Sequence, residues 1–234
     1  MKNNILEVKK VSKKYANVQA LKDVDITISK GKIVGLLGPN GSGKTTLIKI
    51  INDLVHDYSG EVKIDGLTPG VETKKIISFL PDTLHLNENY TPLQCADFFN
   101  DFYDDFDREN ALKLFEKLEL PLKKNISTFS KGTKEKVALS LVMSRKAKLY
   151  ILDEPIAGVD PAARELIIKT IIGNFEEDSS MLISTHIISE VENIFDNVIF
   201  LKEGEVFLQD DVETIREKEG KSIDQLFREV FTCK

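Results

Sequence analysis

The sequence predicts an α/β fold: a mixed sheet with an antiparallel N-terminal β part and an inserted α-helical subdomain. Three observations carry this. The octet Gly38-Pro39-Asn40-Gly41-Ser42-Gly43-Lys44-Thr45 joins an apolar run, Ile33 to Leu37, to a helical stretch, Thr46 to Ile51. Further apolar runs, at 76–80, 149–152 and 181–185, have the length and punctuation of buried strands. Between about 87 and 146 the strand signals vanish and helix caps take over. The expected organisation is a core formed by 1–86 and 147–210, a helical subdomain at 87–146, and a short helical tail at 211–234.

The octet matches G-x-x-x-x-G-K-[ST] without a mismatch, and its setting is the one that gives the pattern physical meaning. A strand–loop–helix unit turns successive backbone N–H groups into one cavity, and the helix N-terminus adds partial positive charge. Gly38, Gly41 and Gly43 let the backbone approach a phosphate closely. Lys44 reaches β and γ phosphates in such a loop, and the Thr45 hydroxyl holds Mg²⁺.

Composition narrows the remaining choices. The 234 residues suit one large domain, or one with an inserted subdomain, and 41% hydrophobic with 30% charged residues is globular usage. A net charge of −6 argues against general nucleic-acid binding. No apolar run approaches the roughly 18 residues of a membrane span, and Met1-Lys2-Asn3-Asn4 lacks the apolar core of a signal peptide. Cys95 and Cys233 have no metal-ligand spacing and read as structural or incidental.

In chain order, residues 4–11 alternate loosely and suggest an edge strand; Ser12 to Asn17 reads as a turn, and Val24 to Ile28 alternates as a strand. Tyr15 reads either as an aromatic that stacks on a base or as a half-buried strand tyrosine. Asp57 to Gly60 is a turn, and Glu61 to Gly66 a short strand and turn. Pro81 ends the 76–80 strand, and Asp82 follows as a ligand-edge carboxylate or a plain turn residue. Thr91-Pro92 is an N-cap followed by proline at the first helical position. Phe98, Phe99, Phe102 and Phe106 fall on one broad face among Asp101, Asp104, Asp105 and Asp107; this reads as core beside a solvated acidic side, or as a docking surface. Ala111 to Leu120 is amphipathic and stops at Pro121. Ser130 can cap the next helix, which turns Val137, Leu141 and Val142 inward.

The strand at 149–152 ends in Asp153 and Glu154, and the strand at 181–185 ends in His186. In an open α/β sheet these ends lie beside the octet. Asp160-Pro161 starts a helix, with Asp160 a plain N-cap on its own terms. Residues 198–202 and 205–208 flank Glu203-Gly204 as a hairpin, and two short helices are expected from about Asp211.

Taken together, the chain resembles the nucleotide-binding subunit of an ABC transporter over nearly its full length. Gly38 to Thr45 resembles Walker A, and Leu149 to Asp153 Walker B, with Glu154 in the catalytic carboxylate position. Ala157-Gly158-Val159-Asp160 resembles the D-loop, and His186 the switch histidine. The signature reads Phe129-Ser130-Lys131-Gly132-Thr133: Ser130 and Gly132 match, while Lys131 and Thr133 depart, in a form similar to ABC-2-type exporter ATPases. Asp82 stands where the family usually has Gln.

The resemblance implies an ATPase with ATP and Mg²⁺ as cofactors. Gly38, Pro39, Asn40, Gly41, Ser42, Gly43, Lys44, Thr45 and Thr46 would hold ATP, and Tyr15 its adenine. Ser130 and Gly132 would touch ATP held by the other subunit. Thr45, Asp82 and Asp153 would serve the metal, and Glu154, His186 and Lys44 the chemistry. It further implies a homo- or heterodimer of ATPase subunits on a separate membrane permease, an exporter: a cytoplasmic protein, peripheral on the inner face of the membrane. No large regulatory domain is expected after the tail. The rival expectations are a soluble ABC ATPase in cofactor assembly or another non-transport process, and a nucleotide-gated regulatory subunit.

Overall fold

A computed structural model describes residues 4–83 and 86–231; Cys233 and the opening Met1 to Asn3, on which two of the readings above fall, lie outside them. β1 (Asn4–Tyr15) and β2 (Val18–Ser29) form a long hairpin, followed by β3 (Ile33–Leu37), α1 (Lys44–Ile51) and β4 (Ser59–Ile64). β1, β2 and β4 make an antiparallel sheet in the order β2-β1-β4. The stretch read as an edge strand is therefore the central one. Its alternation is loose because Ile5 and Leu6 are both buried and the register to β2 shifts repeatedly. Strand pairing also runs on to Tyr15, so the turn is confined to Ala16 and Asn17.

α2 (Val71–Ile76), which the sequence pattern did not announce, leads into β5 (Ile77–Leu80). Its short start is secured by Thr73, whose hydroxyl accepts from the Gly70 amide at 2.9 Å. The helical layer follows: α3 (Pro92–Phe102), α4 (Arg108–Lys117) and α5 (Lys131–Met143). After it come β6 (Leu149–Asp153), α6 (Pro161–Gly173), β7 (Ser180–Thr185), α7 (Ile188–Val191), β8 (Asn197–Lys202), β9 (Glu205–Asp211), α8 (Val212–Glu219) and α9 (Ile223–Phe231). The second sheet has the order β5-β6-β7-β3-β8-β9, parallel except for the β8–β9 hairpin.

β3 is apolar throughout because both faces of this sheet are covered. Ile33 and Leu37 enter one core, with α6, α7 and the C-terminal helices, while Val34 and Leu36 enter the other, with α1 and the antiparallel sheet. Gly35 lies on the first of these faces, where a Cβ would meet the Phe195 ring at 2.7 Å. The helical layer has its own core, with Phe106, Phe115, Leu118 and Leu141.

The four phenylalanines do not share one face. α3 ends at Phe102, and Phe106 lies beyond it, buried. Phe98 and Phe102 are 54% and 68% exposed and stack on each other, with ring centroids 6.1 Å apart. The aspartates also divide. Asp107 caps α4 by accepting from the Asn110 amide at 2.9 Å. Asp105 grips the buried Arg145 with both oxygens, at 2.9 and 3.0 Å. Arg145 also donates to the carbonyls of Ile77 and Lys75 at 2.5 and 2.9 Å and lies 3.9 Å from the centre of the Tyr103 ring. This guanidinium fastens the helical layer to the start of β5.

Removing one partner of such a pair leaves a buried charge uncompensated. Asp105→Ala is expected to cost about 3 kcal/mol, read as a lower urea midpoint at unchanged slope. A loss no larger than that of an exposed aspartate such as Asp104 would show that Arg145 is held by its carbonyl contacts alone.

Candidate functional site

The chain leaves β3 at Leu37 and reverses through Gly38 to Gly43 before α1 begins at Lys44. Gly41 and Gly43 have φ of 82° and 108°, a left-handed backbone that glycine adopts without strain. Gly38 is required by space: a Cβ there would collide with the Leu201 carbonyl and lie 2.5 Å from Ser42 Oγ. Lys44 is buried, and its Nζ donates back to the Gly38 and Pro39 carbonyls at 2.7 and 3.3 Å. Burial pushes its pKa down, against the pull of Glu154 and Asp153. Pro39, Asn40, Gly41 and Thr45 are exposed on the loop, and Thr46 is half-buried. Ser42 Oγ is buried and has no hydrogen-bond partner among the described residues. An orphaned hydroxyl inside a cradle of amides and a lysine fits a bound phosphate, which would satisfy it.

The strand order brings the other groups alongside. β7 lies between β3 and β6, with Leu37 opposite Thr185 and Asp153 opposite Ser184. Asp153 is 2% exposed, and the Ser184 hydroxyl donates a hydrogen bond to it. Burial nevertheless raises its pKa above the usual carboxylate range. Directly after the strand, Glu154 takes φ of 54°, a sparsely populated conformation for a residue with a side chain. Its amide donates to the Ser184 carbonyl at 3.0 Å. Its carboxylate lies 3.7 Å from Lys44 Nζ on one side and 2.9 Å from His186 Nδ1 on the other. One carboxylate thus bridges the residues that follow β3 and β7.

Asp82, beyond β5, lines a small cavity with Lys131, Lys134, Glu135, Asp153 and Glu154. Among the described residues no group of three or more His, Cys, Asp or Glu could hold a metal ion by itself. Tyr15 ends β1 and is 43% exposed, with Lys13 Nζ 4.8 Å from its ring centre. The same hairpin reaches the loop, since a Cβ on Gly43 would meet the Ala20 carbonyl at 2.5 Å. Ser130 and Gly132 open α5, where Ser130 Oγ accepts from the Thr133 amide at 3.2 Å. Among the described residues, no hydrogen bond or ion pair joins them to the loop of their own chain. Asp160 caps α6 by accepting from the Ala163 amide at 3.1 Å.

Two neighbours of the site were missed in the sequence. Ser184 was visible as a hydroxyl inside an apolar strand, but only the β6–β7 register places it against Asp153. Lys13 was assigned to a turn; the strand's two-residue period puts it on Tyr15's side of β1.

A loop that can grip a polyphosphate, beside a buried aspartate and a glutamate poised between a lysine and a histidine, defines a nucleoside triphosphate hydrolase. Residues 21–157 match the family model described as ABC transporter, and the chain belongs to that family. It is 31% identical over 217 residues to the ABC transporter ATP-binding protein YtrB of Bacillus subtilis (strain 168), covering 92% of this chain and 74% of that protein. It is 30% identical to the lantibiotic transport ATP-binding protein SrtF of Streptococcus pyogenes, covering 95% and 96%. Its fold superposes with a TM-score of 0.78, at 25% identity over 88% of this chain and 98% of the other, on the cassette MJ0796 in a dimeric, post-hydrolysis state bound to ADP and Pi. The chain is an ATP-binding, ATP-hydrolysing cassette.

Because the folded-state pKa of Asp153 is raised, its charge opposes folding of the nucleotide-free protein above that pKa, and stability rises as pH falls through it. Asp153→Asn is therefore expected to raise the thermal midpoint of the nucleotide-free protein at pH 7 and to flatten this pH dependence. A lower midpoint would mean that the Ser184 hydrogen bond outweighs the burial of the charge.

Proposed function

We propose that this chain hydrolyses ATP to energise a separate membrane permease, an exporter, by ATP-driven dimerisation of two such subunits. The observation that carries the reading is the Lys44–Glu154–His186 bridge across three strand ends. In it, the residues from Gly38 to Thr46 hold the phosphates, with Lys44 neutralising charge on the transferring group. Glu154 polarises the attacking water, and its contact with His186 sets the orientation of both. Tyr15 stacks on adenine with the ring face that Lys13 leaves open. Ser130 and Gly132, at the start of α5, meet the nucleotide of the second subunit, as the dimeric state of the MJ0796 cassette supports.

Mg²⁺ fits this donor set only together with phosphate oxygens. Thr45 and Asp153 would hold it, and Asp82 would reach it through water. It would supply charge neutralisation at the phosphates.

The exporter assignment draws on the Ser-Lys-Gly form of the signature and on the transport role in the name of SrtF. No helix among the described residues is long and apolar enough to cross a membrane; in this reading the permease supplies the membrane path and the ATPase sits on its cytoplasmic side. The receiving surface is a groove of ≈ 620 Å³ between the core and the helical layer, with Leu54, Val71, Phe79 and Phe102 on its walls. Phe98 extends its apolar rim. Asp105 is committed to Arg145, so docking depends on the exposed phenylalanines more than on the aspartates.

Glu154→Gln is expected to slow hydrolysis by roughly 100-fold or more while ATP-bound dimers accumulate in size-exclusion chromatography; turnover at the normal rate would remove Glu154 from its role. Phe98→Asp with Phe102→Asp should abolish co-purification with a polytopic membrane protein and leave basal ATPase intact. Retention of that partner, or recovery of soluble partners alone from the unmodified protein, would overturn the docking assignment.

A further inference from the structure

Glu135 lies in the second turn of α5, the helix that Ser130 opens, and its side chain is 24% exposed. One carboxylate oxygen, Oε1, is 3.7 Å from Lys131 Nζ. The other, Oε2, is buried without a hydrogen-bond partner among the described residues. Buried oxygens left in this state are rare in folded proteins. Nothing in the packing of α5 demands one here, since the position borders a cavity that a shorter side chain would only enlarge.

What the carboxyl touches is Gly158, in the loop between Glu154 and α6. A Cβ built on Gly158 would collide first with Glu135 Oε1, and would lie 2.9 Å from Cδ and 3.0 Å from Oε2. Gly158 is not in the left-handed region, so its backbone would accept alanine. Space alone keeps the position bare, and Glu135 occupies that space. The loop is also held by the buried side chains of Ile156 and Val159 and by backbone and side-chain hydrogen bonds. The Ala157 amide donates to the Glu154 carbonyl at 3.2 Å, and Arg164 Nε to the Val159 carbonyl at 3.0 Å. Beside these ties, Glu135 is the charged side chain of α5 that seats on Gly158.

We propose that Glu135 is a positioning residue for ATP hydrolysis: seated on Gly158, it couples the position of α5 to the loop that leaves Glu154. A displacement of α5 then bears, through this contact, on the loop that leaves the carboxylate beside Lys44 and His186. The effect is on the geometry of the reacting carboxylate, where misplacement of about 1 Å is costly, and not on the cradle that binds phosphate. The proposal rests on the reading of Glu154 given above.

Two substitutions unseat the carboxyl by independent routes. Glu135→Ala removes it. Gly158→Ala evicts it while leaving its charge in place, and because the atom displaced is the end of a flexible side chain, the fold survives. Each is expected to lower kcat roughly 10-fold to 100-fold with KM for ATP and the calorimetric affinity for MgATP unchanged. The double variant should be no slower than either single one, because both act through one contact. Glu135→Gln, which keeps the shape, should restore most of the rate. Wild-type kcat in Glu135→Ala, additive losses in the double variant, or losses that appear in KM would each overturn the proposal. Glu154→Gln run in parallel separates the two readings: if it abolishes turnover while Glu135→Ala does not, only the positioning role fails.

Discussion

A cation held out of water must be matched by nearby negative ends, and Lys44 sets that requirement for the whole site. Its Nζ is tied to two carbonyls of the loop that it closes and faces the carboxylate of Glu154. This ties the first two residues of the loop to the first residue of α1. The arrangement needs β3, β7 and β6 in consecutive places with their ends level, and the parallel register supplies that. The cost is local: Glu154 keeps a backbone conformation that typically costs about 1–3 kcal/mol. It is retained because the amide of Glu154 is bonded to the neighbouring strand and its side chain has partners on both sides.

The parts of this architecture that rest on local chemistry were legible in the sequence. The phosphate loop reads directly from its glycines and lysine, and Thr91, Ser130 and Asp160 announced three helix starts. The apolar runs marked β3, β5, β6 and β7, because strands buried on both faces cannot alternate. What failed was long-range. The place of β1 in its sheet depends on β4, some fifty residues later, and no local pattern reports it. The phenylalanine face failed for a related reason. A helical wheel continues past Phe102, but the helix does not, and Asp105 had a distant partner in Arg145.

Within the site the same boundary holds. Lys44, Asp153, Glu154 and His186 were each flagged by motif or strand end, and their proximity followed from the class of sheet. Ser184 and Glu135 carry no motif. Their neighbours are set by strand register in one case and by the packing of α5 on the loop after Glu154 in the other. Polar atoms that face a site across tertiary contacts are invisible to spacing arguments, and an unpaired oxygen becomes apparent only once its surroundings exist.

The Arg145 cluster has a mechanical consequence. Its guanidinium holds the carbonyl of Ile77, the first residue of β5, while Asp82 lies just past that strand's far end. Phe79 and Pro81 line the groove between them. β5 is thus held at its root by the guanidinium and along its length by β6, so that a load on the groove wall bears on the same short strand that carries Asp82 at its end.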